Sequence, residues 1–152
     1  MQTSALKSFL NLNFLLMSLC SIGYTKPSDK IYEAENEKSD QLTHMSNHLG
    51  FSGKGFVGGF YNNANGLLTF TVQAQKTGTQ DITVRYAAGF GNAEIILGVN
   101  NENHEFSMPG TGSWGEWRNV SIPVSLKQGT NTISFKMKES TTKCLNIDYL
   151  SL

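Results

Sequence analysis

Leu67-Leu-Thr-Phe-Thr-Val-Gln73 decides the fold. Leu68, Phe70 and Val72 fall on one side of an extended chain, and Thr69, Thr71 and Gln73 on the other, because successive side chains of a strand point to opposite faces. The same alternation returns at Ile82, Val84 and Tyr86, at Ile95, Leu97 and Val99, at Val120, Ile122 and Val124, and at Ile133, Phe135 and Met137. Turn-forming residues separate the runs: Lys76-Thr-Gly-Thr-Gln80, Gly89-Phe-Gly-Asn92, Asn100-Asn-Glu-Asn103 and Lys127-Gln-Gly-Thr-Asn131. No stretch keeps a helical period. Short strands at this spacing predict an all-β domain, an antiparallel β-sandwich of the jelly-roll type with functional loops at its ends or an open face.

The N-terminal residues read differently. Lys7 precedes the apolar run Phe14-Leu-Leu-Met-Ser-Leu-Cys20, and small residues follow at Ser21 and Gly23, the layout of a secretory signal peptide over residues 1–25. A lipoprotein leader ending at Cys20 is the competing reading, but Met17-Ser-Leu-Cys20 lacks the small residue such signals place just before the cysteine. The apolar run is too short for an ordinary membrane span. A short polar linker, residues 26–30, leads into one domain, residues 31–152. That domain, about 125 residues long, is large enough for a single hydrophobic core.

Removal of the leader takes Cys20 with it and leaves Cys144 alone, so the expected secreted domain has no internal disulfide. Twelve basic residues balance twelve acidic ones, which argues against a nucleic-acid or anionic-membrane surface held by bulk charge. Stability must come from packing and from any bound metal.

Three acidic residues occupy informative places. Ile31-Tyr-Glu-Ala-Glu35 and Leu145-Asn-Ile-Asp-Tyr149 read as short strands near the two ends of the domain. In an extended strand Glu33 and Glu35 share a face. If the first and last strands are neighbours, Glu33, Glu35 and Asp148 converge, and an all-oxygen cluster of like charge suits a hard cation such as Ca²⁺. The expectation is a structural calcium site.

Asn47-His-Leu-Gly-Phe-Ser-Gly-Lys-Gly-Phe-Val-Gly-Gly-Phe60 is a glycine-rich segment with interspersed aromatics, and Thr111-Gly-Ser-Trp-Gly-Glu-Trp117 is a second aromatic loop. Taken in order, Tyr32-Glu-Ala-Glu35, Asn47-His48 with Gly50-Phe-Ser-Gly-Lys-Gly-Phe-Val57, Val84-Arg-Tyr-Ala87, Gly112-Ser-Trp114 with Trp117, Gly129-Thr-Asn-Thr-Ile133 and Asn146-Ile-Asp-Tyr-Leu150 resemble the successive motifs of non-catalytic carbohydrate-binding modules of families 6 and 35, galactose-binding-like jelly rolls. Asn47-His48 followed by the Gly-Phe-Ser-Gly loop leans toward family 35. The resemblance implies a jelly roll with structural calcium on Glu33, Glu35 and Asp148, completed by backbone oxygens near Lys54. It implies a sugar site at Phe56, Trp114 and Asn146, with Asn47 contributing. Some family members hold a second calcium in the ligand site to capture uronic acids. One departure stands out: Ala88 occupies a position where the family often has asparagine.

The chemistry of sugar recognition supports the same choice. A sugar ring has polar edges and C–H-rich faces, so its site needs a flat apolar platform beside a few orienting donors and acceptors. Trp114 lies between Gly112-Ser113 and Gly115, free of bulky neighbours, and the Asn146 amide both gives and accepts hydrogen bonds. The bland alternatives are a core plug for Trp114, an anchoring ring for Phe56 and a solvent-facing edge residue for Asn146. Trp117, opening a strand, reads as core. His48 and His104 read as loop residues, and Arg85 as the partner of a neighbouring acid.

An enzyme reading fares poorly, because Glu33 and Glu35 belong to the metal patch and no Gly-x-Ser-x-Gly, His-Glu-x-x-His or cysteine–histidine arrangement is present. The functional expectation is therefore a secreted, monomeric, non-catalytic module that binds a polysaccharide or oligosaccharide. A secreted adhesive or assembly protein is the alternative, marked by a broad apolar patch instead of an exposed Trp114 beside Asn146.

Overall fold

The structure, a computed structural model, describes residues 29–60, 65–138 and 144–152. The expected leader, most of the linker and Tyr61 lie outside the described residues. In chain order the strands are β1 Ile31–Glu33, β2 Lys38–Asp40, β3 Thr43–Met45, β4 Phe56–Gly58, β5 Leu67–Ala74, β6 Gly78–Ala87, β7 Ala93–Val99, β8 Glu102–Met108, β9 Arg118–Leu126, β10 Gly129–Met137 and β11 Asn146–Ser151. One sheet has the order β3-β4-β11-β6-β9, with β1 also paired to β11, and the other has the order β2-β5-β10-β7-β8. Every pairing is antiparallel. The expected jelly-roll β-sandwich is what the chain forms.

The alternating residues build the core as expected. Leu68, Phe70, Val72, Ile82, Val84, Ile95, Ile133 and Phe135 are fully buried, and Phe70 meets Phe135 edge to face, 5.8 Å between ring centroids. Val120 is only half-buried but packs against this core.

Two departures matter for the site. The first run is not one strand through Glu35: β1 stops at Glu33, and Ala34–Asn36 form a 3-10 turn closed by the Glu37 N–H on the Ala34 carbonyl. The turn carries the chain from the β11 sheet to the opposite sheet, where β2 pairs with β5. In β11 the register with β6 slips between Ile147 and Tyr149, which makes Asp148 the extra residue of a β-bulge. A bulge re-aims its side chain and shifts the alternation by one. Leu145 and Ile147 before it, and Leu150 after it, accordingly all reach the core.

The strand β8 was not visible in the sequence pattern. Residues expected to form the turn Asn100–Asn103 turn over Asn100, at φ 54°, and pairing with β7 resumes at Glu102. Because β8 is an edge strand whose side chains are mostly exposed, it carries polar residues on both faces and shows no alternation.

Candidate functional site

The glycine-rich segment between β3 and β4 is tied down along its length. The Ser52 N–H donates to both carboxylate oxygens of Asp148 (2.9 and 3.1 Å), the Ser52 hydroxyl donates to Glu33 Oε2 (2.7 Å), and the Lys54 N–H donates to Glu35 Oε1 (2.7 Å). Gly53 sits at φ 60°, where a side chain would collide with the Glu35 carboxylate, so glycine is required on both counts. On the other flank, Arg85 Nη2 donates to the Gly50 carbonyl (2.8 Å) and Trp117 Nε1 donates to the Leu49 carbonyl (2.9 Å). The Arg85 guanidinium also lies over the rings of Trp117 and Tyr149.

The three acids thus meet around one loop, as the sequence suggested, but by another route. Glu35 reaches it from the 3-10 turn and Asp148 from the bulge. Among the described residues no set of three is drawn onto a single point at metal-ligand separation. Asp148 is fully buried and forms an ion pair with Arg85. Burial pushes its carboxyl above the ordinary carboxylate range, against the opposing pull of the Ser52 N–H and Arg85. Glu35 Oε2 is buried and has no hydrogen-bond partner.

A pocket of about 270 Å³ opens on the other side of this loop, lined by Met45, His48, Gly59, Phe90, Trp114, Cys144 and Asn146. Trp114 is placed by its own loop. The Thr111 N–H donates to the Ala88 carbonyl (2.9 Å), while Thr111 Oγ1 accepts from the Ala88 N–H (3.0 Å) and donates to the Ser113 carbonyl (2.9 Å). This clamp lays the indole flat on Gly89, and Phe90 meets it at a near right angle. Across the pocket His48 lies close to parallel with Trp114, 25° between planes at 6.1 Å, and with Phe56, 27° at 5.9 Å.

Trp114 and Asn146 therefore share one pocket. Trp114 is partly exposed and does not plug the core, and Asn146 is not a solvent-facing edge residue: it is 6% exposed, on a strand with neighbours on both sides. Phe56 departs from expectation. Its ring is completely buried beneath His48, Phe51 and Trp117, so it supports the site from below and cannot face a sugar. Asn47 is exposed and does not line the pocket. Trp117 is a half-buried clamp on the glycine-rich segment and not a core residue, because the chain is still in the loop and β9 begins one residue later. Sequence reasoning passed over Phe90, Met45 and Cys144. For Phe90 a signal existed: an aromatic between two glycines in a turn.

The carbohydrate-binding module (family 6) model matches residues 33–152. Isomaltosyltransferase of Sporosarcina globispora is 32% identical over 122 residues, covering 80% of this chain and 11% of that protein. Endo-1,4-beta-xylanase B of Cellvibrio japonicus (strain Ueda107) is 38% identical over 114 residues, covering 70% of this chain and 18% of that protein. Among solved structures, a family 35 carbohydrate-binding module from Clostridium thermocellum superimposes with a TM-score of 0.75 at 27% identity, covering 82% of this chain and 96% of that one. The cycloalternan-forming enzyme from Listeria monocytogenes, solved in complex with a pentasaccharide substrate, gives 0.75 at 30% identity, over 80% of this chain and 11% of that one. The chain thus spans less than a fifth of the length of the two curated relatives. With its two antiparallel sheets, its glycine-rich loop and its Trp114 pocket, the chain belongs to the family of carbohydrate-binding modules.

Proposed function

We propose that the pocket holding Trp114 and Asn146 binds one sugar residue of a polysaccharide or oligosaccharide, and that the domain is a secreted, non-catalytic recognition module. The observation that carries this reading is the meeting of an aromatic face and a buried amide in one concave site, from a loop and a strand distant in sequence. Trp114 supplies a platform for the C–H face of a pyranose. Asn146 supplies orientation.

Catalysis has no support in this arrangement. No carboxylate lines the pocket among the described residues, and Glu33, Glu35 and Asp148 are engaged by Ser52, Lys54 and Arg85. A protein-docking role lacks its surface too: the exposed large apolar residues described are Ile31, Leu49 and Phe90, and Phe90 belongs to the pocket.

Calcium forms part of the proposal. The donor set fits a hard cation: three carboxylates around one loop, the Ser52 hydroxyl, and the buried, unpartnered Glu35 Oε2. Glu33, Glu35 and Asp148 would hold the ion. Its contribution would be to fix the glycine-rich loop, with Arg85 retaining part of its hold on Asp148.

The relatives include, by name, a cycloisomaltooligosaccharide glucanotransferase, an endo-1,4-beta-xylanase and a mannan endo-1,4-beta-mannosidase, so the panel that tests the site must be broad. A glycan array of wild type against Trp114→Ala is the direct experiment. Binding of a defined glycan that is lost in the variant supports the proposal. Undiminished binding in the variant places recognition on another surface.

A further inference from the structure

Phe90 is the one large aromatic among the described residues that is mostly exposed, at 66%. It is not stranded on the surface. It lines the pocket, and its ring stands 5.1 Å from Trp114, centroid to centroid, with 82° between the planes. The flanking turn is tied to the facing chain: the Gly110 N–H donates to Asn92 Oδ1 (3.0 Å), and the Gly110 backbone packs closely on Gly91.

We propose that Phe90 is a second sugar-contacting residue and that its right-angle setting selects bent oligosaccharides. The inference rests on the carbohydrate reading of the Trp114 pocket. An aromatic ring gains most from a sugar when it packs flat against one C–H face of the pyranose. Two platforms about one sugar residue apart can both be used only if consecutive rings of the ligand turn by about the angle between the platforms. An α-linked or 1→6-linked pair can make that turn. A flat β-1,4 ribbon keeps successive rings near one plane and can use Trp114 or Phe90, not both. The substrate class is therefore a neutral oligosaccharide with a bent or flexible linkage, recognised over two residues.

The experiment is a binding titration, by calorimetry or chemical-shift perturbation, with glucose, maltose, isomaltose and cellobiose as probes. For the wild type, maltose or isomaltose is expected to bind about five- to tenfold more tightly than glucose, the gain of one added aromatic contact. Cellobiose should show little gain. In Phe90→Ala the ratio of disaccharide to monosaccharide affinity should collapse toward one, with the melting temperature held because the ring is exposed. Phe90→Tyr should restore the ratio. Persistence of the full gain in Phe90→Ala, or an equal Phe90-dependent gain for cellobiose, overturns the inference while leaving the Trp114 site intact. Absence of any response to all four sugars, in a wild type shown to be folded, overturns this inference and leaves the Trp114 site to the broader glycan array. Binding unaffected by Trp114→Ala overturns both the site and this inference.

Discussion

The indole of Trp114 lies flat on the backbone of Gly89, so close that a Cβ built there would stand 2.7 Å from two of its ring carbons. Gly89 has no left-handed backbone demand, so the requirement for glycine comes from the platform alone. Gly89→Ala should therefore tilt the indole out of the pocket. Affinity for a glycan captured by the wild type should fall at least about tenfold, the scale of a lost aromatic contact, while thermal stability changes little. Gly115→Ala is the matched control: a Cβ there meets nothing within 4 Å, and binding should persist. Equal behaviour of the two variants in a titration would refute the platform.

Trp114 and Asn146 should fail in different ways. Trp114→Ala removes the apolar surface and should abolish detectable binding, since a shallow site has little affinity to spare. Asn146→Ala should weaken binding by on the order of 1–3 kcal/mol, the cost of leaving a polar partner unpaired. Because the Asn146 amide is buried beside Gly58 and Met45, its loss should also cost some stability, whereas Trp114→Ala should melt near the wild type. Paired titration and melting curves separate the two roles.

Much of this site could be read from the chain, and the remainder has identifiable causes. Period-two alternation located β5, β6, β7, β9 and β10, and failed at β8, whose side chains are mostly exposed, and at β2, β3 and β4, which are three residues long and too short to show a period. Trp114 and Asn146 were legible because glycine neighbours and an amide within an apolar strand are local signals. Phe56 was not: whether an aromatic in a glycine-rich segment faces in or out depends on Trp117 and His48 packing over it from elsewhere. Asp148 was expected to join the two glutamates on the condition that the first and last strands are neighbours. That condition holds, since β1 pairs with β11, but a bulge, invisible in the sequence, is what turns Asp148 onto Ser52 and Arg85.

The acid cluster makes a prediction about metal. If calcium binds the native state alone, chelation should lower the melting temperature, by the mass-action amount set by free ion and affinity. Asp148→Ala should both lower stability and abolish the chelator response, and it would leave the half-buried Arg85 without its ion pair. Glu35→Gln is the gentler probe, keeping an acceptor for the Lys54 N–H while weakening the metal. An identical melting curve with and without excess chelator, from protein verified to carry calcium, would remove the metal from the account.

Trp117 tests how the pocket is held. Its ring stacks edge-on against Phe56 at 5.2 Å and its N–H ties down Leu49, next to pocket-lining His48. Trp117→Ala should cost roughly 2–3 kcal/mol of stability, less than a fully buried tryptophan because the ring is partly exposed. Trp117→Phe should lose the hydrogen bond alone, about 1 kcal/mol. Both should weaken glycan binding through displacement of His48, and a variant that melts lower yet binds normally would show that the pocket does not depend on this clamp.

Cys144 offers a reporter that needs no mutation of the site. Its thiol is buried at the pocket wall, and burial pushes its pKa above the ordinary thiol value, because the thiolate loses hydration there. The thiolate is the species that reacts with alkylating agents, so at about pH 8, near the free-thiol pKa, iodoacetamide should modify Cys144 far more slowly than it modifies the unfolded chain. The rate should climb with pH and reach its midpoint above that of a free thiol. A glycan seated between Trp114 and Asn146 would cover the same wall and should slow the reaction further at every pH, in a Cys20→Ser background if the leader is present. Alkylation of the folded protein at the free-thiol rate would show that the wall is open. Alkylation unaffected by a saturating glycan would place the sugar elsewhere, since any ligand resting on Trp114 and Asn146 must also approach Cys144.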